Sequence, residues 1–395
     1  MRQVDHLLIG GGIAGASCAL ELREQGAKGS IVLVGRELDP PYHRPPCTKD
    51  YLRGEIERDA AHIAPKEKWA QSGVELLPRT SVNALDLEQR VATLSTKEEV
   101  SFGSALIATG AMVRRLNVDG SDLERIHYIR ALGNSDAIRR DLQEGMHVLL
   151  VGGSYIGCEV AVSLTMLGYK CTILMLERLP MERGFGATAG AFVRDLLTGH
   201  GIELVGEDEL ARFEGDNGAV ARAVTAGGRT LQADLAVLGV GAMPDVMLAR
   251  RAGLEIGETG GIVADRRLET PTRGVFVAGD CAEFDSVIHG RRARIEHEEV
   301  ARTQGEHVAR AMLGATDPYA EPPYFWCDLG DWATLEYVGL GARADEERVD
   351  GDPASGSFAV RFLRDGRLDG VVAVNRGDAL DEAREELAAR VRSAG

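Results

Sequence analysis

Three things are scarce in this chain, and each scarcity narrows what it can be. Its six cysteines (Cys18, Cys47, Cys158, Cys171, Cys281 and Cys327) are scattered without a CxxC pair. Neither a metal cluster nor a disulfide framework is therefore expected, and most are read as small buried hydrophobes. No apolar run approaches the roughly 18 residues of a membrane span. No basic-then-apolar leader precedes the first strand, so a cytoplasmic protein without membrane contact is expected. Positive charge is in deficit: 45 basic against 61 acidic residues leave a net charge of −16, which argues against a nucleic-acid surface and is silent on catalysis. The balance reverses locally at His289-Gly290-Arg291-Arg292-Ala293-Arg294, readable as a solvated turn or as a docking surface for an acidic protein.

What is present is a pair of glycine-rich turns of one kind. Gly10-Gly11-Gly12-Ile13-Ala14-Gly15 follows an apolar strand, Val4 to Ile9, and opens a helix, Ala14 to Gln25. In such a turn Gly10 permits the tight bend, Gly12 lets the backbone approach a pyrophosphate, and Gly15 lets helix and strand pack closely. The helix N-terminus adds oriented amides. A second strand, Ser30 to Val34, ends before Glu37, the candidate acceptor for a ribose hydroxyl. The second turn, Gly152-Gly153-Ser154-Tyr155-Ile156-Gly157, follows the strand Met146 to Val151 and precedes a helix through Cys158 to Leu167 and a strand, Lys170 to Leu174. Ser154 stands where the middle glycine would be, and its side chain crowds the pyrophosphate position. Glu177 favours NADH at this second site, whereas the nearby Arg178 and Arg183 would suit the phosphate of NADPH. Two dinucleotide sites in one chain imply electron movement between them.

The 395 residues are too many for one core and suggest two or three domains. Strands Ser104 to Ala108 and Leu235 to Val240 end in Thr109-Gly110 and Gly241-Ala242-Met243-Pro244, marking crossings between domains. A buried strand, Gly274 to Asp280, precedes the helix Glu298 to Leu313. Asp280 is placed to bond a ribityl or phosphate group at a sheet edge, or to cap a helix. Short strand-like runs fill 338 to 380, and a charged helix spans Ala379 to Val391.

Together with Pro41-Tyr42-His43-Arg44-Pro45-Pro46-Cys47-Thr48-Lys49, Ala108-Thr109-Gly110, Gly152 through Glu159 and Val277-Ala278-Gly279-Asp280, these turns make nearly the whole chain resemble the FAD-dependent pyridine nucleotide-disulfide oxidoreductase superfamily. The resemblance is to the branch of oxygenase-coupled ferredoxin reductases, which also includes apoptosis-inducing factor. It implies an α/β fold with two Rossmann-like dinucleotide-binding domains and a smaller C-terminal α+β domain. FAD would occupy residues 1–114 and 242–318, NAD(P)H an inserted domain at 115–241, and the C-terminal domain residues 319–395. Disulfide-reducing relatives carry a reactive cysteine four residues before the equivalent of Lys49. Here that position is Pro45, so Cys47 is read as packing and no dithiol relay is expected.

The resemblance also implies roles. Lys49 and Glu159 would form an ion pair beside flavin and nicotinamide, where a cation stabilises the charge of a reduced flavin. Arg44 would lie along the FAD diphosphate as a planar fork. Glu296 and His297 fall in a stretch closer to apoptosis-inducing factor; Glu296 would face the nicotinamide or cap the following helix. Trp326 would pack over the flavin side of the site. The activity implied is NADH-dependent reduction of a small iron-sulfur ferredoxin serving a monooxygenase or dioxygenase, by a monomer or homodimer. Two other readings remain open: a NADH oxidase or peroxidase, and a redox-gated binding protein like apoptosis-inducing factor.

Overall fold

The computed structural model describes residues 1–341 and 344–394; residues 342, 343 and 395, within the span expected for the C-terminal domain, lie outside the described residues. Arg2–Ile9 runs parallel to Ile31–Val34 on one side and to Glu99–Ile107 on the other. Val74–Leu77 and Val275–Val277 extend this parallel array at its two edges. Every residue of Ile31–Val34 and Val275–Val277 is buried. A parallel sheet covered on both faces requires unbroken apolar runs rather than alternation, and the sequence supplies them. The beginning of Glu99–Ile107 pairs antiparallel with Val91–Leu94, which Val82–Asp86 continues as a meander. Helices Ile13–Glu24 and Glu298–Met312 share one core with this sheet.

A second parallel sheet follows the order Glu203–Val205, Lys170–Leu174, His147–Val151, Leu235–Leu238, Ile126–Tyr128. The chain enters and leaves this part of the fold through one two-stranded ribbon, in which Ala111–Val113 pairs antiparallel with Ala242–Pro244. Helix Tyr155–Met166 begins at the glycine turn itself, ahead of the residue its composition suggested. Leu235–Leu238 stops short of Val240. Helix Glu182–Gly199, which the sequence did not single out, is broken at Gly186 (φ 77°, ψ 176°). Its glycines weaken intrinsic helix preference, and packing of Phe185, Val193 and Leu197 compensates.

The C-terminal part is a five-stranded antiparallel sheet in the order Tyr324–Leu329, Ala333–Gly339, Arg367–Val374, Ser357–Arg364, Glu346–Asp352. Alternation along its strands sorts two faces. Phe358, Val360 and Phe362 join the core shared with helix Tyr155–Met166, whereas Ala359 packs with Leu380, Ala383 and Leu387 of helix Gly377–Ala394. Among the described residues no helix is long and apolar enough to cross a membrane.

Burial keeps two histidines neutral. It lowers His289 and His307 from 6.5 to about 4, and the Nε2 atom of each meets no hydrogen-bond partner among the described residues. The unfolded chain therefore binds more protons than the native one between these values, so stability falls as pH falls through the window. We expect thermal unfolding midpoints to drop between pH 6.5 and 4, with His307→Gln losing about 2 kcal/mol less stability than the parent between pH 7 and 4.5. An identical pH slope in the variant would remove His307 from the effect.

Candidate functional site

The two glycine turns have nearly the same backbone and different side-chain demands. Gly10 has φ +131°, and a Cβ there would lie 2.0 Å from the Ala108 carbonyl oxygen; at Gly15 it would lie 2.1 Å from the Gly10 oxygen. These two glycines are demanded by the protein's own packing. Gly12 is not, because a Cβ built on it meets nothing within 4 Å. Ser154 occupies the equivalent place with the same dihedrals as Gly12, φ −87° and ψ −173°. A serine is therefore accommodated without backbone strain, and it stands exposed on the cavity wall. Neither turn's helix is capped by a side chain, although Ser154 sits at an N-cap position. Both sets of N-terminal amides are thus left for an anion.

Both turns open on one cavity of 1530 Å³. From the first sheet and its flanks it is lined by Gly10, Gly12, Ile13, Ala14, Glu37, Arg44, Ala108, Thr109, Gly110, Gly279, Asp280, Glu296 and His297. Tyr155, Ile156 and Glu159 line it from the second, and Trp326 from the C-terminal sheet. Gly15, Lys49, Gly152, Gly153, Gly157 and Glu177 are off its wall. The glycines among these act by packing: a Cβ at Gly157 would lie 1.9 Å from the Gly152 oxygen, and one at Gly153 would lie 2.5 Å from Met175 Sδ.

Beside the wall, behind Glu159, three titratable groups from three parts of the chain meet. Lys49 Nζ lies 3.4 Å from Glu159 Oε1 and donates at 2.9 Å to Asp328 Oδ2. Thr48 Oγ1 donates at 2.6 Å to Glu159 Oε2, and Thr334 Oγ1 donates at 2.7 Å to Asp328 Oδ1. Burial raises the Glu159 carboxyl above the usual range, with Lys49 and Thr48 opposing it. Burial alone would lower the Lys49 ammonium, but the two carboxylates outweigh it and hold it above its ordinary value. Asp328 sits below the carboxylate range because Lys49 and Thr334 overcome its partial burial. The sequence reading missed Asp328. Its signal was available, since it stands two residues after Trp326 in the strand Tyr324–Leu329 and so shares that residue's face.

Several expected contacts are arranged differently. Glu37 and Arg44, assigned to a ribose and a diphosphate, are paired with one another. Arg44 also donates at 3.0 Å to the Arg130 carbonyl oxygen, and Tyr42 donates its hydroxyl to Glu37. Burial would raise Glu37, yet Arg44 and Tyr42 bring it below its usual value. Asp280 does not cap a helix; Arg130, which the sequence did not flag, donates to its Oδ2 at 2.7 Å. Nor does Glu296 cap the helix after it. It pairs with Arg294, and Glu298 in the first turn instead accepts from the Arg44 backbone at 2.8 Å and holds His43 Nδ1 at 2.7 Å.

His297 stacks on Phe325 with ring centroids 3.9 Å apart and planes 18° apart. Burial brings it down to about 4, so it is neutral at ordinary pH. Glu177 pairs with Arg183, and Arg178 with Glu182, so both arginines that would suit a phosphate already have a carboxylate. The basic cluster is likewise neutralised. Arg291 makes a two-pronged contact with Asp369 at 3.0 Å for each prong, Arg292 reaches Asp285 at 3.2 Å, and Arg294 takes Glu296. Burial pushes the Cys47 thiol up to about 12, which suits packing rather than redox chemistry.

The uncapped helix ends, the unfilled space over Gly12 and a cavity reaching both turns fit two dinucleotides, one at each turn. Comparison with known proteins agrees. Residues 4–305 match the family described as pyridine nucleotide-disulphide oxidoreductase, and residues 324–394 match the reductase C-terminal family. The chain is 33% identical over 343 residues to a rubredoxin-NAD(+) reductase of Pseudomonas putida, covering 87% of this chain and 88% of that one. It is 32% identical to the ferredoxin reductase subunit of a 5,5'-dehydrodivanillate O-demethylase of Sphingobium sp., covering 95% and 91%. Its structure superimposes with a TM-score of 0.93 on the reductase of a covalent putidaredoxin reductase–putidaredoxin complex, at 29% identity and covering 99% and 94%. The chain therefore belongs to the pyridine nucleotide-disulphide oxidoreductase family, in a form that carries the reductase C-terminal segment.

Proposed function

We propose that the protein is an NADH-dependent flavoprotein reductase that passes single electrons to a small iron-sulfur ferredoxin or rubredoxin in an oxygenase system. The observation that carries this reading is the buried Lys49–Glu159 pair, set beside a wall shared by both dinucleotide turns. On this reading residues 1–114 and 242–318 hold FAD, 115–241 hold NADH and 319–395 close one side. The pairing of Ala111–Val113 with Ala242–Pro244 supports these limits. FAD would be held by the Gly10–Gly15 turn, Arg44 with Glu37, Ala108 to Gly110, and Asp280 with Arg130. NADH would be held by the Gly152–Gly157 turn with Tyr155 and Ile156, and by Glu177. The carboxylate partners of Arg178 and Arg183 favour NADH over NADPH.

Bound flavin supplies the conversion of a two-electron hydride donor into one-electron steps. The residues supply the surroundings. Lys49 places a positive charge where negative charge develops, and Glu159 keeps that ammonium from drifting to solvent. Neutral His297, stacked on Phe325, gives the wall a flat and weakly polar surface, and Trp326 closes the other side against water. Glu296, tied to Arg294, would face the nicotinamide as a fixed acceptor. The six buried, unpaired cysteines support a reducing, cytoplasmic setting.

FAD-loaded protein should reduce a two-iron ferredoxin or a rubredoxin from its own genome with NADH, well above the rate of free flavin; equal rates would refute the assignment. Lys49→Met should slow flavin reduction by NADH on the order of 10²-fold in stopped-flow absorbance while FAD stays bound. Gly12→Ala should fold with unchanged apo stability yet weaken FAD binding about tenfold or more, read by fluorescence titration. Gly10→Ala should instead lose about 3 kcal/mol of stability through strain and clash. Equal stability losses in the two glycine variants would mean that Gly12 serves packing after all.

A further inference from the structure

Lys49 is shared by two carboxylates that differ in surroundings. Glu159 is almost fully buried and faces the cavity, while Asp328 keeps a third of its side chain exposed. The ammonium lies nearer the second, 2.9 Å from Asp328 against 3.4 Å from Glu159. It is also absent from the cavity wall that Glu159, Thr48 and Trp326 help to form. Asp328 is itself fixed, because its other oxygen takes the Thr334 hydroxyl at 2.7 Å and its strand is hydrogen-bonded through Thr334 and Ala333. The Lys49 ammonium also lies 6.0 Å from the Trp326 ring centroid, so Asp328 holds it on the C-terminal side of the site.

We propose that Asp328 is a positioning residue that sets the reduction potential of the bound flavin through Lys49, by holding the ammonium back from the cavity. The inference rests on the reading of Lys49 as the cation acting on the flavin. Its physical basis is the steep distance dependence of a charge in a water-poor site, where a small displacement of the ammonium changes the potential it delivers. Without the Asp328 charge, Lys49 relaxes onto Glu159, and the reduced flavin gains stabilisation. The strand that carries Trp326 thereby also tunes how strongly electrons are held.

The test uses the FAD-loaded protein and equilibrium titration against redox dyes. Asp328→Asn should raise the two-electron midpoint so that the equilibrium constant for reduction grows about tenfold, or about 30 mV, with FAD content and thermal unfolding unchanged. Asp328→Glu, which keeps the charge, should return the constant to within about twofold of the parent. Asp328→Ser should reproduce the Asn shift and serves if the Asn variant folds poorly. In a Lys49→Met background, Asp328→Asn should move the constant by less than about twofold, since the effect passes through the ammonium. An equal shift in both backgrounds would show a bare charge effect and overturn the proposal, as would no shift in Asp328→Asn or Asp328→Ser. Lys49→Met alone leaving the potential unchanged would instead overturn the reading of Lys49 on which the proposal stands.

Discussion

A carboxylate taken almost wholly out of water at the start of helix Tyr155–Met166 demands a cation, and the local chain provides none. Glu159 is answered by Lys49, at the end of a short helical turn in the connection between strands Ile31–Val34 and Val74–Leu77, and by the Thr48 hydroxyl beside it. An unmet charge at such a place is costly, while a met one ties together the elements that bear the two partners. Ser163, one helical turn after Glu159, donates at 2.6 Å to the Thr48 carbonyl oxygen and repeats the tie. The C-terminal sheet then seals the cluster with Asp328. Three separately built layers are thus brought to one point by the need to satisfy one buried acid.

Around that point the site is preorganised by pairs rather than by single residues. Arg44 with Glu37 and Arg130 with Asp280 each place opposite charges together on the cavity wall, and Arg294, off the wall, fixes Glu296 on it. Side chains held in this way lose little freedom when a ligand arrives, so less binding energy goes to ordering them. The protein as a whole is strongly acidic, yet the wall carries a balanced set of charges suited to a ligand with both phosphates and a flat apolar ring.

What the sequence made legible is what lies within a few consecutive residues. Gly10 to Gly15 and Gly152 to Gly157 declare themselves because turn, strand and helix are contiguous, and unbroken runs such as Ile31–Val34 reveal a doubly covered sheet. Helix Glu182–Gly199 was obscured by its glycines, whose low helical preference is overridden by packing. The pairings were the least legible part. Lys49 and Asp328 are 279 positions apart and Arg130 and Asp280 are 150 apart, and nothing local in either partner names the other. The same blindness hid the partner of Arg291, since Asp369 lies 78 positions away.

The ribbon formed by Ala111–Val113 and Ala242–Pro244 has a consequence for how such proteins diversify. Everything between those strands begins and ends at one spot, so that the intervening fold is attached to the rest as a pendant is to a clasp. It is fastened elsewhere by the Glu159 cluster, by Arg130 to Asp280, by Asp136 to Tyr51 and Arg58, by Leu132 packed on Tyr42 and Tyr51, and by the face shared with the C-terminal sheet. An intervening unit of different nucleotide preference could be exchanged at the clasp without lengthening a connection, provided that it brought its own buried acid for Lys49, a cation for Asp280 and a carboxylate for Arg58.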